Sequence, residues 1–342
     1  MNYVNLGASG LKVSRIALGM MTFGTPQWRP WVLTEEEARP IVRRAVELGV
    51  NLFDTADMYS AGVSEEITGR LVRECAQRDE VVVATKVFMP VDLGFKGMNV
   101  PGQKTQARPN MQGLSRKRIF AAVDASLKRL GMDWIDLYQI HRFDPATPVE
   151  ETMEALHDVV KAGKVRYLGA SSMWAWQFAK MQQVAREHGW TPFVSMQNHY
   201  NLLYREEERE MNPLCLDQGV GLLPWSPLAR GFLAGNRGPA DKTSGATSRA
   251  QTDEIAQRFY YQDSDFAVVE AVRKMAEARG ASMARLAYAW LLGRPGVSAP
   301  IVGASKAWQL EEAVSAVDLT LSAEEATALE IAYRPHPVLG HT

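Results

Sequence analysis

The stretch NLFDTADMYSAGVSEEITGRLVRECAQRDEVVVATKV, from Asn51 to Val87, holds two short apolar runs separated by an amphipathic segment of helical length. The runs are NLFDTA (Asn51–Ala56) and VVVATKV (Val81–Val87), and Ser64 stands where the helix between them would begin. Short apolar runs bounded by turn-forming residues are typical of buried parallel strands. The stretch therefore predicts a strand, a helix and a second strand parallel to the first.

The same alternation continues along almost the whole chain. Six more apolar runs of strand length follow the pattern: Ile16–Gly19, Ile135–His141, Val165–Ser171, Phe193–Gln197, Val220–Ser226 and Ser298–Gly303. Thr34, Ser115 and Thr147 each precede an amphipathic helical pattern. Eight strand–helix units predict a (β/α)8 TIM barrel, with residues 1–342 forming a single domain. A doubly wound sheet is the alternative, but no GxGxxG motif opens the first unit.

Four segments do not belong to a minimal barrel. Tyr3–Val13 predicts an N-terminal β-hairpin that covers the bottom of the barrel, and Ser322–Tyr333 predicts an additional helix. Phe88–Leu114 and Arg230–Asp265 are long polar loops after the third and seventh barrel strands. Because barrel enzymes build their active sites at the carboxyl ends of the strands, we expect both loops to border such a site.

The composition excludes several functional classes. A net charge of −1 over 342 residues provides no general attraction for nucleic acid or anionic membranes. No apolar run has the length of a signal peptide core or a membrane span, so we expect a cytoplasmic protein. Cys75 and Cys215 are far apart and form no CxxC or Cys/His cluster, which predicts neither a disulfide framework nor a metal site. Nothing in the composition assigns an oligomeric state.

Four reactive side chains lie at or just after the ends of the second, third and fourth barrel strands: Asp54, Tyr59, Lys86 and His141. A lysine among apolar neighbours needs a carboxylate partner, and Asp54 is on the adjacent strand. An ammonium beside Tyr59 would lower the pKa of its phenol from about 10 and make it a usable general acid. His141 could donate a hydrogen bond to a carbonyl oxygen. The set predicts the reversible reduction of a carbonyl group.

Each of the four residues also has an ordinary structural explanation. Asp54 could cap a helix, Tyr59 could anchor a loop, Lys86 could form a structural ion pair, and His141 could simply end a strand. A different chemistry is also open, in which Lys86 forms a Schiff base in a metal-free isomerase or aldolase.

Motifs along nearly the whole chain resemble those of one known family. They are DTADMYSAGVSEEITGRLV (Asp54–Val72), VVVATKV, IDLYQIHRFD (Ile135–Asp144), GKVRYLGASS (Gly163–Ser172), SMQNHYNLL (Ser195–Leu203), LLPWSPLARGFLAG (Leu222–Gly235) and APIVGASKAWQLEEAV (Ala299–Val314). The chain resembles the aldo-keto reductases, and WSPLARG with IVGAS resembles a bacterial member of the branch that includes potassium-channel β-subunits. The resemblance implies an NADPH-dependent oxidoreductase that reduces aldehydes or ketones. A redox-sensing regulatory subunit with weak turnover remains the alternative.

The same resemblance implies a role for individual residues. Asp54, Tyr59, Lys86 and His141 match the catalytic residues. Independently of the resemblance, the position of Trp31 and Trp174 in loops at the barrel mouth makes them expected substrate contacts beside Tyr59 and His141. The expected contacts with the nicotinamide half of NADPH are Gly19, Met20, Asp54, Ser171, Ser172, Gln197 and Trp225. The expected contacts with its phosphates and adenine are Ser226, Pro227, Leu228, Ala229, Gly231, Leu233, Arg249, Gly303, Ser305, Lys306, Gln309 and Glu312. Lys306 and Ser305 would bind the additional ribose phosphate, which favours NADPH over NADH.

Overall fold

A computed structural model describes residues 1–97, 108–239 and 248–341. Its strands are β1 (Tyr3–Asn5), β2 (Lys12–Ser14), β3 (Ala17–Gly19), β4 (Leu52–Asp54), β5 (Val82–Val87), β6 (Ile135–Ile140), β7 (Val165–Ser171), β8 (Phe193–Gln197), β9 (Gly221–Leu222) and β10 (Ile301–Val302). Strands β3 to β10 form one parallel sheet in the order β10-β3-β4-β5-β6-β7-β8-β9. Each of the eight predicted strands therefore exists, although most are shorter than the apolar run that indicated them.

Backbone hydrogen bonds close this sheet into a barrel. The Ser298 amide donates to the oxygen of Leu222 at 2.9 Å, and the Ile301 amide donates to the oxygen of Pro224 at 2.8 Å. These bonds join the segment around β9 to the segment that leads into β10. The prediction of a (β/α)8 barrel is confirmed.

Helices pack around the outside and connect the strands. They are α1 (Glu35–Glu47), α2 (Val63–Cys75), α3 (Arg116–Leu130), α4 (Val149–Lys161), α5 (Ala175–His188), α6 (Met211–Asp217), α7 (Ser248–Thr252), α8 (Glu254–Phe259), α9 (Asp263–Arg279), α10 (Met283–Leu292), α11 (Ala307–Ser315) and α12 (Ala323–Glu330). Across the described residues, no helix combines the length and the apolar character needed to cross a membrane.

The helix starts follow two of the predicted capping residues, Thr34 and Ser115, whereas α4 begins after Pro148, which follows Thr147 and offers no capping side chain. Thr34 and Glu37 form a capping box at α1, and Ser115 accepts a hydrogen bond from the Arg118 amide at α3. Ser64 was expected to open α2, but this was wrong, because the helix begins at Val63 after Gly62, whose φ is 96°. The Ser64 hydroxyl instead donates to the backbone oxygen of Met20 at 2.8 Å, which ties α2 to the segment after β3.

The hairpin of β1 and β2 covers the amino-terminal end of the barrel, as predicted. Its strands pair in antiparallel register, with Tyr3 opposite Ser14. Leu6 and Val13 are fully buried in a cluster with residues of the barrel interior, including Leu52 and Leu137. The hairpin thus closes one end of the barrel and leaves the carboxyl ends of the strands as its open mouth.

Long loops leave the mouth after β5 and β9, as expected. Residues 98–107 of the first and 240–247 of the second lie outside the described residues. In the described part of the first loop, Phe95 accepts a hydrogen bond from the Trp28 indole at 2.8 Å. The C-terminal segment after α12 also returns to the mouth, where the Leu339 amide donates to the Tyr204 hydroxyl at 2.9 Å.

Candidate active site

A buried ion pair lies at the centre of the barrel mouth. Lys86 is fully buried near the end of β5, and its Nζ lies 2.6 Å from Asp54 Oδ2 at the end of β4. The Lys86 ammonium also donates to the backbone oxygen of Thr55 at 2.8 Å. Burial lowers the pKa of Lys86, but the interactions with Asp54 and Tyr59 together outweigh it, and the pKa lies above its ordinary value. A charged ammonium is not a nucleophile, which argues against Schiff-base chemistry at Lys86.

Two glutamines fix the second oxygen of Asp54. Gln139 Nε2 donates to Asp54 Oδ1 at 3.0 Å, and Gln197 Nε2 donates to the same oxygen at 2.8 Å. Gln197 is predicted from the sequence as a cofactor contact, and Gln139 is not among the predicted site residues. The signal was present, because Gln139 lies two residues before His141 on one strand, and side chains two apart on a strand share a face.

Tyr59 reaches this ion pair from the loop after β4. Its hydroxyl lies 3.4 Å from Lys86 Nζ, and its ring meets the ring of His141 edge-on at 5.9 Å between centroids. We expected Lys86 to lower the pKa of Tyr59 below its ordinary value. Burial instead raises this pKa, and Lys86 offsets only part of the increase. Tyr59 consequently carries its proton at neutral pH.

His141 stands beside Tyr59 as a neutral imidazole. Burial lowers its pKa well below the ordinary value, and the cations Lys86 and Arg142 lower it further. Its Nδ1 is buried and has no hydrogen-bond partner among the described residues. A neutral imidazole keeps one N–H, so His141 can donate a hydrogen bond without carrying a charge.

A cavity of about 910 Å³ connects these residues with the start of α11. Tyr59, His141 and Trp31 line it together with most of the residues assigned to the cofactor: Gly19, Asp54, Ser171, Gln197, Trp225, Ser226, Pro227, Leu228, Gly231, Arg249, Gly303, Ser305, Lys306, Gln309 and Glu312. The other four residues assigned to the cofactor are buried and are not among the described residues that line this cavity: Met20, Ser172, Ala229 and Leu233.

Trp225 forms part of a stack of aromatic rings at the middle of the cavity. Its ring lies 4.2 Å from that of His199, with 11° between the planes, and Tyr204 stacks on the opposite side of His199 at 4.1 Å. The Trp225 indole donates to the Ser172 hydroxyl at 3.0 Å. Ser172 therefore orients the tryptophan from behind, and Trp225 is held as a rigid flat surface.

The far end of the cavity is rich in positive charge. Asp253 is fully buried and pairs with both Arg230 at 2.6 Å and Arg249 at 3.2 Å. The Arg249 guanidinium also lies over the ring of Trp31, 4.5 Å from its centroid. Trp31 thus contacts the residue expected to bind the cofactor. Asp253 is not among the predicted site residues, because it lies in a polar segment with no strand or helix periodicity to mark it.

The turn before α11 is already capped by a side chain. Gln309 Oε1 accepts hydrogen bonds from the amides of Ser305 at 2.8 Å and Lys306 at 3.1 Å. These are the amides expected to receive phosphate, so a phosphate there would have to replace the glutamine oxygen. Because α11 directs its positive end toward the cavity, the exchange remains electrostatically favourable.

Trp174 is the one expected substrate contact that the structure does not bring to the cavity. Its side chain is 41% exposed, and Trp174 is not among the described residues that line the cavity. Its ring meets that of His341 edge-on at 4.9 Å. The contact connects the start of α5 with the C-terminal segment at the rim of the barrel mouth.

Comparison with known proteins identifies the family to which this site belongs. The sequence profile described as Aldo/keto reductase family matches residues 15–334. The chain belongs to the aldo/keto reductase family. It is therefore an oxidoreductase that uses a nicotinamide cofactor, NADH or NADPH, to reduce carbonyl groups.

Several fungal proteins are similar over their full length. An aldo-keto reductase of Fusarium vanettenii is 46% identical, with 100% of this chain and 93% of that protein covered. The versiconal hemiacetal acetate reductase of Aspergillus parasiticus is 47% identical, with 99% and 98% covered. A Schizosaccharomyces pombe protein provisionally named aryl-alcohol dehydrogenase is 46% identical, with 99% and 97% covered. These names do not support the expected bacterial origin or the placement near potassium-channel β-subunits.

Proposed function

We propose that this chain is an NADPH-dependent reductase of aromatic aldehydes and ketones, acting reversibly. The observation that carries the proposal is the contact of Lys86 with both Asp54 and Tyr59 beside His141 in one cavity. Trp28, Met58 and Met89 also line this cavity and provide apolar surface for an aromatic ring. The name aryl-alcohol dehydrogenase of one relative supports the same class of substrate.

The protein's own residues supply and control the proton. A bound nicotinamide would supply the hydride to the carbonyl carbon. Tyr59 donates its phenol proton to the carbonyl oxygen, which yields the alcohol and leaves a phenolate. The Lys86 ammonium stabilises that phenolate, and Asp54 keeps Lys86 charged and in place. Neutral His141 donates an N–H to the same carbonyl oxygen and so orients the substrate.

The remainder of the cavity fits an extended dinucleotide. Trp225 offers a flat surface for the nicotinamide ring, with Ser171 and Gln197 nearby for its carboxamide. Arg230 and Arg249 share a single buried carboxylate, so an excess of positive charge remains for phosphate. Lys306 and Ser305 would bind the additional ribose phosphate that distinguishes NADPH from NADH.

Residues 1–342 form one domain in this proposal, and the protein acts in the cytoplasm. The N-terminal hairpin and the C-terminal segment both pack against the barrel, which supports one folding unit. Cys75 and Cys215 are free thiols, as is usual in a reducing compartment.

A panel of carbonyl compounds followed by the loss of NADPH absorbance tests the proposal. We expect turnover of benzaldehyde and substituted benzaldehydes, slower turnover of acetophenone and aliphatic aldehydes, and none above background with Tyr59→Phe. If wild-type protein binds NADPH but oxidises it in the presence of none of the carbonyl compounds, the proposal is contradicted and a regulatory subunit is favoured. Labelling of Lys86 by borohydride in the presence of an aldehyde would point to Schiff-base chemistry instead.

A further inference from the structure

A positively charged side chain next to the catalytic residues, Arg142, has no part in the reaction described above. Arg142 follows His141 directly and lines the cavity. Its Nη1 donates to the backbone oxygen of His141 at 2.5 Å, whereas its Nε is buried without a hydrogen-bond partner. Within residues 1–97, 108–239 and 248–341, no carboxylate forms an ion pair with it. Burial lowers the pKa of Arg142 to about 10, so the guanidinium is charged at neutral pH.

The charges around Arg142 leave it uncompensated. Asp54 and Lys86 neutralise each other at 2.6 Å, while Tyr59 and His141 are uncharged at neutral pH. Taken together, these four residues and Arg142 therefore carry a net charge of about +1 at the catalytic end of the cavity. Arg142 is half-buried, and a partly desolvated, unpaired cation is unfavourable, so an incoming anion would relieve this cost.

The cations at the opposite end of the cavity differ in this respect. Arg230 and Arg249 both pair with Asp253, and both lie where the cofactor phosphates are expected. Arg142 lies at the catalytic end instead, next to the histidine that would orient the carbonyl group. A partner for Arg142 would therefore have to come from the molecule bound at the catalytic end.

We propose that Arg142 binds an anionic group of the substrate, and that the preferred substrates are aromatic aldehydes or ketones carrying a carboxylate. The planar guanidinium presents a fork of N–H donors that matches the two oxygens of a carboxylate. Because Arg142 and His141 are consecutive, the carboxylate and the carbonyl group would be held by neighbouring residues. This inference rests on the proposed reductase function and adds a substrate class to it.

A matched pair of substrates tests the inference by kinetics. 4-Carboxybenzaldehyde carries the negative charge, and methyl 4-formylbenzoate is its neutral ester. We expect wild-type kcat/KM to favour the acid by about 10-fold or more, the contribution of one charge-assisted hydrogen bond. Arg142→Met should lower kcat/KM for the acid at least about 10-fold more than for the ester. Arg166→Met removes an exposed arginine outside the cavity and should leave the acid-to-ester ratio unchanged.

Calorimetric binding of benzoate and benzamide in the presence of NADP+ gives a readout without turnover. We expect benzoate to bind wild type about 10-fold more tightly than benzamide, with the preference lost in Arg142→Met and reduced in Arg142→Lys. If Arg142→Met does not fold, the affinities of wild type and Arg142→Lys for benzoate and benzamide still test the proposal.

The outcomes separate the two proposals. Arg142-dependent binding of benzoate with no turnover of any aldehyde would overturn the reductase function and retain the anion site. Turnover of the acid and the ester with equal kcat/KM, or equal affinity for benzoate and benzamide, would overturn the anion site alone.

Discussion

The ammonium nitrogen of Lys86 lies 3.4 Å from the hydroxyl oxygen of Tyr59. This is the longest of the three polar contacts of Lys86, since Asp54 Oδ2 lies at 2.6 Å and the Thr55 oxygen at 2.8 Å. Asp54 and the Thr55 carbonyl therefore determine where the ammonium stands, while the contact with the phenol is free to strengthen. It would strengthen as the phenol loses its proton, because the attraction of a phenolate for an ammonium exceeds that of a neutral hydroxyl.

Lys86→Met should impair both catalysis and stability. The variant leaves the Asp54 carboxylate buried with two glutamine amides and no cation, which costs about 3–5 kcal/mol of unfolding free energy. Without the ammonium, kcat should fall at least about 100-fold. Urea unfolding and steady-state kinetics measure the two effects. Adding Asp54→Asn to Lys86→Met should restore stability without restoring activity, and a double variant no more stable than the single one would contradict this account.

Acid should destabilise the protein through two buried histidines. Burial, followed by nearby cations, lowers the pKa of both His141 and His199 well below the ordinary value. Below about pH 6.5 the unfolded chain binds protons that the folded chain does not, so the unfolding free energy decreases as the pH is lowered. Above about pH 6.5 their contribution to stability is complete, and below it each histidine removes up to about 1.4 kcal/mol per pH unit.

Unfolding of His199→Gln in urea at a series of pH values measures the share of one histidine. Below about pH 6.5, we expect the slope of unfolding free energy against pH to decrease by the amount that corresponds to the uptake of about one proton on unfolding. Gln183→Ala, on the exposed face of α5, removes no titratable group and is the control that should keep the wild-type slope. An unchanged slope in His199→Gln would show that this imidazole is protonated in the folded protein.

Lys306→Ala should separate the two nicotinamide cofactors. If Lys306 contacts the additional ribose phosphate, its removal weakens NADPH by about 10- to 100-fold and leaves NADH nearly unchanged. Fluorescence titration of each cofactor gives the two dissociation constants, and NADH serves as the control within the same variant. Equal weakening of both cofactors would remove Lys306 from the proposed phosphate site.

Gln139→Met should reveal a positioning role for a residue that does not line the cavity. The substitution keeps the volume of the side chain and removes one of two donors to Asp54 Oδ1. We expect unfolding free energy to fall by about 1–3 kcal/mol, and kcat to fall while KM for the aldehyde changes little. Gln183→Met, on the exposed face of α5, is the matched control. Loss of stability with wild-type kcat would leave Gln139 a purely structural role.

The barrel was predictable because its signals are local. Each strand, such as Val82–Val87, is an apolar run bounded by turn residues, and several helices begin at a capping side chain such as Ser115. The start of α2 was not predictable from Ser64, because a turn with positive φ at Ser60, Ala61 and Gly62 leads directly into the helix, which begins at Val63 and so before the serine. Backbone conformation of this kind leaves no composition signal.

The catalytic group was predictable to the level of which residues meet. Its members end adjacent strands, and parallel strands bring their carboxyl ends together. The direction in which the pKa of Tyr59 shifts was not predictable, since it depends on how deeply the phenol is buried and on the distance of 3.4 Å between its oxygen and Lys86 Nζ. The pairing of Asp253 with two arginines likewise depends on tertiary packing between segments that are separate in sequence.

Transfer of deuterium from NADPH dideuterated at C4 to benzaldehyde tests the central claim most directly. Mass spectrometry of a single turnover should find benzyl alcohol carrying one deuterium at the carbinol carbon with wild type. Tyr59→Phe should form it at least about 1,000-fold more slowly while binding NADPH with an unchanged dissociation constant. Formation of the deuterated alcohol by Tyr59→Phe at the wild-type rate would contradict the role of Tyr59 as proton donor.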